Sequence, residues 1–169
     1  VKGIENIISG AGNDIIFGDT GDDILKGDTG NDTFVFTYTV GSDIFDGNDN
    51  IDGGANSDTI DYSAIVDTQY YGDIDLTAGT SKIKNSSASN VVVKSDTISL
   101  IENVIGTSGS DTIRGNASQN TMTGGDGRDT ILYTFAALTA GVVVNLNADT
   151  VEKKIGATTI VDKITQIEN

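Results

Sequence analysis

Residues 9–35 read SGAGNDIIF, GDTGDDILK and GDTGNDTFV, which are three consecutive units of nine residues. In each unit the fourth residue is Gly, the sixth is Asp and the eighth is a large apolar residue. Gly and Asp favour tight turns, and one apolar residue two places after the Asp predicts a very short strand with a single inward side chain. Such a unit cannot bury its apolar residue alone, so the units must stack into a solenoid.

The same spacing places carboxylates in rows. If two units form one coil, residues eighteen apart stand above each other, about 4.8 Å apart along the stack. Asp14 then lies beside Asp32, and Glu5 lies beside Asp23. Carboxylates at that distance repel each other by ~1 kcal/mol in water and by several times more near a protein surface. A divalent cation between them would remove this repulsion. Because the sequence has no His or Cys and offers oxygen ligands only, the pattern favours Ca²⁺ over Zn²⁺.

The units resemble the GGxGxDxUx nonapeptide of the RTX (haemolysin-type) calcium-binding repeat family. This resemblance implies a β-roll in which sixth-place Asp side chains and carbonyls of the glycine-rich turns bind Ca²⁺ between coils. We therefore predict an all-β fold, a right-handed parallel β-roll or β-helix solenoid with Ca²⁺ bound in the turns. The predicted metal ligands are the sixth-place residues Asp14, Asp23, Asp32, Asp49, Asp58, Asp111 and Asp129, together with the turn residues Gly10, Gly12, Asp19, Gly21, Asp28, Gly30, Gly109 and Gly127.

The nonapeptide returns twice within what we predict to be a single solenoid domain. The domain spans residues 1–169, with nonapeptide blocks at residues 9–35, 44–61 and 106–132. Asp32 and Asp49 are seventeen residues apart, so the register slips between the first two blocks. We interpret residues 34–40 as a longer strand and Gly41–Ser42 as a turn. In the second block Asp49 and Asp58 fall on opposite edges, so their calcium partners must come from neighbouring coils.

Three residues in the later blocks depart from the pattern, and one of them is Ser118, which stands where a fourth-place Gly is expected. Asn56 stands where the fourth-place Gly is expected, and Asn tolerates positive φ nearly as well. Asn120 stands at a sixth place, so its pairing with Glu102 is poorer than that of Asp111 with Asp129. Between the blocks we predict two similar strand-rich insertions, at residues 62–95 and 133–161, with a mobile loop at Asn85–Asn90 in the first.

Each candidate residue also has a plainer interpretation. The sixth-place Asp residues could cap turns without metal, and Asp19, Asp28 and Asp126 would contribute mainly backbone carbonyls. The close acid pairs could mimic a glycosidase pair, although their periodicity is explained better by metal binding. The tyrosines could form a sugar-binding platform or cap the ends of the strand stack; these are Tyr62, Tyr70, Tyr71 and Tyr133. The lysines of the insertions are interpreted as solvated loop charges; these are Lys82, Lys84, Lys94, Lys153 and Lys154.

Composition narrows the classes of function. The formal net charge is −15, which argues against nucleic acid and anionic membrane as partners. The 37% of hydrophobic residues, regularly spaced, argue against disorder. About seven Ca²⁺ ions would nearly cancel the charge. No apolar run is long enough to cross a membrane, and without His or Cys there is no Ser-His or Cys-His nucleophile, so we expect no enzymatic activity.

These features lead to one functional hypothesis and two alternatives. We expect a calcium-binding structural segment of a secreted or cell-surface bacterial protein, such as an adhesin, surface-layer or filament component. The alternatives are a non-catalytic C-terminal module of a secreted enzyme or toxin, and a carbohydrate-binding module like those of alginate epimerases. The resemblance implies export through type I secretion, with folding on Ca²⁺ binding outside the cell. Expected partners are calcium ions, other copies or flanking repeats of the chain, and, for the third hypothesis, glycans. We expect the chain, which starts at Val1, to be a piece of a longer protein.

Overall fold

The computed structural model describes residues 6–39 and 44–167, and these residues form an all-β structure. In chain order the strands are β1 (Asn6–Ala11), β2 (Ile15–Phe17), β3 (Ile24–Thr29), β4 (Thr33–Val35), β5 (Tyr38–Thr39), β6 (Ile44–Phe45), β7 (Asn50–Asp52), β8 (Thr59–Asp61), β9 (Tyr70–Asp75), β10 (Thr80–Asn85), β11 (Val91–Ser99), β12 (Asn103–Ile105), β13 (Thr112–Arg114), β14 (Thr121–Thr123), β15 (Thr130–Leu132), β16 (Val143–Asn145), β17 (Thr150–Ile155) and β18 (Thr158–Thr165). A 3-10 helix covers Ser86–Ala88. Within the described ranges, no helix has the length and apolar character needed to span a bilayer.

Two eight-stranded sheets face each other, and the nonapeptide strands alternate between them. The first sheet has the order β1-β3-β7-β11-β10-β9-β13-β15, and the second has the order β16-β17-β18-β14-β12-β8-β4-β2. Strands of successive coils pair in parallel, as in β1 with β3 and β2 with β4. The predicted parallel β-roll is therefore confirmed.

The register follows the spacing of eighteen residues inside a block. Ile16 pairs with Phe34, and Ile113 pairs with Ile131, so eighth-place residues stack on one another. Leu25 and Phe34 are fully buried, whereas Ile15, at a seventh place, is 68% exposed. Because side chains alternate between the two faces of a strand, a three-residue strand buries only its central residue. The core is consequently a thin double ladder of eighth-place side chains.

The predicted long strand at residues 34–40 is wrong. Strand β4 ends at Val35, and a separate two-stranded antiparallel sheet of β5 and β6 follows. The chain leaves the second sheet because Phe36 and Tyr38 turn into the core, where Phe36 stacks on Tyr62 with ring centroids 4.9 Å apart. The predicted turn at Gly41–Ser42 lies outside the described residues.

The two insertions form three-stranded antiparallel units with the same arrangement. In the first, β11 pairs in parallel with β7 of the preceding coil, and β10 and β9 follow it antiparallel. In the second, β18 pairs in parallel with β14, and β17 and β16 follow in the same way. The segment Asn85–Asn90, for which we predict a loop, contains the 3-10 helix, whose first amides are capped by the Asn85 side chain.

The first insertion changes the spacing of the coils in one sheet only. In the second sheet β8, β12 and β14 are direct neighbours, but in the first sheet β10 and β9 lie between β11 and β13. In the first sheet, the residues just before β13 are therefore two strands away from their counterparts on β11. In the second sheet, the corresponding residues of successive coils remain direct neighbours.

Candidate metal sites

The second sheet carries six polar side chains in one line, five of them in turns that lead into its strands and one, Asp162, within β18. We call this line the second-sheet row; its members are Asp14, Asp32, Asp58, Glu102, Asn120 and Asp162. In the first part of the row, each backbone N–H donates to the side chain of the next member. The distances are 2.9 Å from Asp14 to Asp32, 2.8 Å from Asp32 to Asp58 and 3.1 Å from Asp58 to Glu102. The Asn120 side chain donates to the Glu102 carbonyl at 3.1 Å, and the Asn120 backbone donates to Asp162 Oδ1 at 2.8 Å. The row is continuous across six strands.

A second line, the first-sheet row, lies along the other edge and is interrupted. Its first part is Asp23, Asp49 and Asp96, joined by backbone N–H bonds of 2.9 Å each to the next carboxylate. Its second part is Asp111 and Asp129, joined by a bond of 2.8 Å. Between them lie β10 and β9 of the first insertion, where Ser81 pairs with Asp96 and the Gly72 N–H donates to Asp111 Oδ1, and neither Ser81 nor Gly72 carries a carboxylate.

The structure brings together most of the pairs predicted from the sequence. Asp14 lies next to Asp32, and Asp111 lies next to Asp129, each eighteen residues away. Asp49 and Asp58 lie on opposite rows, and their neighbours Asp23 and Asp32 are both 26 residues away, in another coil. The predicted pairing of Glu5 with Asp23 involves a residue outside the described part of the chain.

Four sixth-place carboxylates have an oxygen without a hydrogen bond, and in three of them, Asp23, Asp32 and Asp58, the other oxygen accepts from a backbone N–H. The unpaired oxygens are Asp14 Oδ2, Asp23 Oδ1, Asp32 Oδ2 and Asp58 Oδ2, all buried. A buried polar atom without a partner costs free energy, and a charged one costs more. Backbone hydrogen bonds therefore account for only half of the carboxylates of Asp23, Asp32 and Asp58. A cation between the coils would satisfy the other half.

Turn carbonyls lie in the same inter-coil space. A Cβ added to Gly27 would collide with Asp32 Oδ2 and with the Gly53 carbonyl oxygen of the next coil. A Cβ added to Gly53 would collide with Asp58 Oδ2 and the Leu100 carbonyl oxygen. Unpaired carboxylate oxygens and backbone carbonyls thus converge where glycine leaves room, and this donor set is the one that Ca²⁺ prefers.

The turn backbone explains why the repeat needs its fourth-place glycine. Gly30 has φ +140°, and a Cβ there would overlap the Gly12 carbonyl oxygen of the coil before it. Gly127 stands in the same relation to Gly109, and Gly47 to Gly21. Positive φ is also found at the predicted turn residues Gly10, Gly12 and Asp28, and at Asn56 with φ +92°. Asn56 thus takes the conformation that its position predicts.

The predicted second-place residues do not contribute side chains to the rows. Asp19 Oδ1 accepts a bond of 2.9 Å from the Gly21 N–H, so this side chain caps its own turn. Asp28 is exposed, and its carbonyl accepts from Ala55 N–H at 2.8 Å. Among residues 6–39 and 44–167, no group of three or more acidic side chains is arranged to hold a metal ion by itself. The residues present would hold an ion through a pair of carboxylates and carbonyls.

Burial makes the carboxylates hard to ionise without a cation. The pKa of Asp111 is raised to about 7, and the pKa of Asp58 is raised to about 6, in both cases chiefly by burial. The neighbouring carboxylates Asp129 and Asp32 add to the increase, while hydrogen bonds from backbone N–H groups oppose it. A bound divalent cation would lower the pKa of these carboxylates because it favours their charged form.

The prediction that Lys94 and Lys153 are solvated loop charges is wrong. Both are buried, with 1% and 0% of their surface exposed, and both amino groups lie within the rows. Lys94 contacts Asp46, Asp49 and Asp96, and Lys153 contacts Asp162. The strand alternation explains the burial, because each lysine occupies an inward position of β11 or β17.

The environments set the pKa of the two lysines in opposite directions. Burial lowers the pKa of Lys94, but the carboxylates of Asp96, Asp46 and Asp49 outweigh it and raise the value. Burial lowers the pKa of Lys153, and its single carboxylate neighbour Asp162 does not restore it. The more acidic cluster therefore holds the more strongly protonated lysine. The other insertion lysines are more accessible, and Lys84 contacts Asp73.

Two of the four tyrosines are too deeply buried to belong to a sugar-binding platform. Tyr62 and Tyr70 are buried in the core between the sheets. The Tyr62 hydroxyl donates to Asp96 Oδ2 at 2.8 Å, and the Tyr133 hydroxyl donates to Asp162 Oδ2 at 2.9 Å. These rings therefore anchor the rows from inside, which neither the sugar-binding nor the end-capping interpretation anticipates.

Sequence reasoning missed several members of the rows. Asp96 and Asp162 are each followed two places later by a buried Ile, which is the sixth- and eighth-place signal standing outside a glycine-rich turn. A second ladder uses the fifth places, where Asn13 Oδ1 accepts from Asn31 N–H at 2.8 Å and Asn31 Oδ1 accepts from Ser57 N–H at 3.1 Å. The frequency of Asn and Asp at fifth places is the signal that could have indicated it.

Comparison with known proteins identifies the family of the repeats. A family model described as the RTX calcium-binding nonapeptide repeat (4 copies) matches residues 2–34, 45–64 and 99–132, just over half of the chain. No curated protein matches the chain. Among solved structures, the extracellular lipase LipA from Serratia marcescens aligns with 96% of this chain at 15% identity and a TM-score of 0.37. The aligned chain spans 38% of the lipase. The chain belongs to the RTX calcium-binding nonapeptide repeat family.

Proposed function

We propose that the chain is a calcium-binding structural module of a secreted or cell-surface bacterial RTX protein, an adhesin, surface-layer or filament component. In this proposal it has no catalytic role, leaves the cell by type I secretion and folds when it meets calcium outside. The observation that carries the proposal is the line of buried, unpaired carboxylate oxygens at Asp14, Asp32 and Asp58.

The energetics of the roll support folding driven by metal. Its core is one side chain deep per strand, and several exposed side chains are large and apolar, such as Ile8 and Phe17. Against this thin core stands a formal charge of −15. Structural cations that bind only the folded chain add their binding free energy to folding. Calcium in the turns would thus both neutralise the rows and stabilise the stack.

The calcium dependence of folding can be measured by far-UV circular dichroism. We expect chelator-treated protein to show little β structure, and to fold cooperatively as Ca²⁺ approaches ~10⁻⁴–10⁻³ M, the range of extracellular calcium modules. Mg²⁺ at equal concentration serves as the control, because it keeps its water and demands a stricter octahedral geometry. A β spectrum that is unchanged in chelator would mean that the rows are turn caps only.

The structural role needs a separate measurement. Sedimentation velocity and negative-stain electron microscopy, with and without Ca²⁺, should reveal ordered assembly if the module builds a filament or surface layer. A monomer at all calcium concentrations would count against those roles and leave an adhesin or an appended module. A glycan array tests the carbohydrate-binding alternative directly.

A further inference from the structure

The amino group of Lys94 lies among the oxygen atoms of a nonapeptide turn. In the unit IFDGNDNID, Gly47 is at the fourth place and Asp49 at the sixth. Lys94 Nζ donates to the Gly47 carbonyl at 2.7 Å and to Asp49 Oδ2 at 2.8 Å. It lies 2.8 Å from Asp96 Oδ1, on the next strand of the row, and 3.0 Å from Asp46 Oδ1. Four oxygens therefore surround this ammonium group.

The amino group of Lys153 repeats the arrangement at a turn of the other row. In the unit GNASQNTMT, Ser118 is at the fourth place and Asn120 at the sixth. Lys153 Nζ donates to the carbonyls of Asn116 and Ser118 at 2.8 Å and 2.6 Å, and to Asn120 Oδ1 at 3.1 Å. It also donates to Asp162 Oδ2, on the next strand of the row, at 2.7 Å. Again four oxygens surround the ammonium group.

The two contact sets share three elements. Each ammonium group contacts a fourth-place carbonyl, the sixth-place side chain of the same turn, and the Asp of the next strand in the row. These are the groups that would hold calcium in the other turns. The two sites arise from different insertions and lie in different rows, so their agreement does not follow from a single loop conformation.

Asp49, Asp96 and Asp162, which lie next to the lysines, have no unpaired oxygen, unlike Asp14, Asp23, Asp32 and Asp58; Asp46 Oδ1 lies 3.0 Å from Lys94 Nζ but accepts no hydrogen bond. Both oxygens of Asp49 are used, one by the Asp23 N–H and one by Lys94. Both oxygens of Asp162 are used as well, one by the Asn120 N–H and one by Lys153. At Asp49 and Asp162 the lysine therefore contacts the second oxygen, which is unpaired at Asp14, Asp23, Asp32 and Asp58.

We propose that the ammonium groups of Lys94 and Lys153 occupy cation positions in these two turns, so that neither turn takes up calcium. The inference rests on the proposed function in one respect, namely that the remaining turns bind calcium. Each lysine comes from an insertion and fills the last inter-strand space before the extra antiparallel strands begin. In each row, the ammonium group of a lysine therefore occupies the last space between coils before the regular stack is interrupted.

Charge and aromatic contacts fit an ammonium ion at these positions. Around Lys153 the sixth-place residue is Asn120 rather than Asp, so Asp162 alone balances the single positive charge. The Lys94 ammonium lies 4.5 Å from the centroid of the Phe36 ring, and the Lys153 ammonium lies 5.6 Å from that of Phe135. An aromatic face attracts an ammonium ion but supplies none of the six to eight oxygen ligands that Ca²⁺ takes.

Removing the Lys94 amino group should create a calcium site. We expect Lys94→Ala to bind one more Ca²⁺ per chain than the wild type, because Asp46, Asp49 and Asp96 are left with room for an ion and water. The ions are counted by equilibrium dialysis and metal analysis of the full 169-residue chain. Lys84→Ala is the matched control: this lysine contacts Asp73 outside the rows, so its removal should leave the number of ions unchanged.

A Lys94→Ala variant that folds in calcium with an unchanged or smaller number of ions would overturn the proposal. If this variant does not fold, labelling of the wild type decides. In saturating Ca²⁺, an amine-specific reagent should modify Lys94 and Lys153 at least about tenfold more slowly than Lys84 and Lys154, because a buried group reacts only through local opening. Equal labelling rates would mean that calcium displaces the lysines and would refute the proposal.

The two proposals fail in different ways. If the wild type binds no calcium, the proposed function fails, while the Lys94→Ala count and the labelling rates still decide the inference. If the wild type binds calcium but Lys94 is labelled as fast as Lys84, the inference fails alone.

Discussion

Replacing Asp32 by Asn tests the rows at their most informative point. Asp32 lies between Asp14 and Asp58 in the second-sheet row, and its Oδ2 atom is buried without a partner. Asn keeps the shape of the side chain, and its Oδ1 can still accept the 2.9 Å bond from the Asp14 N–H. The substitution therefore removes one charge and little else.

The expected effect has opposite signs with and without calcium. Neighbouring carboxylates ~4.8 Å apart repel by about 3 kcal/mol each at an effective dielectric constant of 20, so in chelator Asp32→Asn should stabilise the folded chain. In calcium the variant loses a ligand in two inter-coil spaces. Each ion lost removes about 2.7 kcal/mol of stability when calcium is at a hundredfold excess over its dissociation constant. A loss of one to two ions corresponds to roughly 3–5 kcal/mol.

Urea unfolding followed by circular dichroism, in chelator and in saturating Ca²⁺, measures both signs. If the chain does not fold in chelator, urea unfolding cannot be measured there, and the calcium titration is used in its place. The Ca²⁺ concentration at which half of the chains are folded should then be higher for Asp32→Asn than for the wild type. Asp126→Asn makes the same change of charge at an exposed turn position and is the matched control. If both variants behave alike, or if Asp32→Asn destabilises the chain equally in both solutions, Asp32 holds no calcium and the reasoning is refuted.

Two further predictions concern pH and the turn glycines. Burial raises the pKa of Asp58 to about 6 and that of Asp111 to about 7, so the metal-free folded chain binds more protons than the unfolded chain between about pH 4 and 7. The residual β signal of the chelated chain in circular dichroism should therefore fall from pH 5 to pH 8, and the opposite trend would contradict the assignment. Gly30→Ala places a Cβ on the Gly12 carbonyl oxygen at φ +140° and should cost about 1–3 kcal/mol or more in urea unfolding. Gly141→Ala, where a Cβ meets no atom within 4 Å, is the control and should change stability little.

The sequence by itself determined the coil. Its spacing of nine residues predicts the turn, the short strand and the alternation between two sheets, because a three-residue strand buries one side chain and positive φ demands Gly or Asn. Pairs eighteen residues apart, such as Asp14 with Asp32, follow from this geometry alone. The predicted Asn56 conformation follows from the same local rule.

Contacts beyond one coil could not be predicted in this way. The pairing of Asp32 with Asp58 spans 26 residues, because β5 and β6 divert the chain between two coils. The strand predicted at residues 34–40 fails for the same reason: the gain from burying Phe36 against Tyr62 depends on a partner far away in the sequence. Local propensity does not contain that information.

The lysines show the limit most clearly. In the sequence, Lys94 and Lys153 stand in insertions outside the glycine-rich turns, and a lysine is ordinarily solvated. Only the pairing of β11 with β7, and of β18 with β14, brings each amino group to a turn that already contains unsatisfied oxygens. Burial of a charge depends on its partners, and only the tertiary structure supplies the turn oxygens among them, because these turns lie 33 to 47 residues away in the chain.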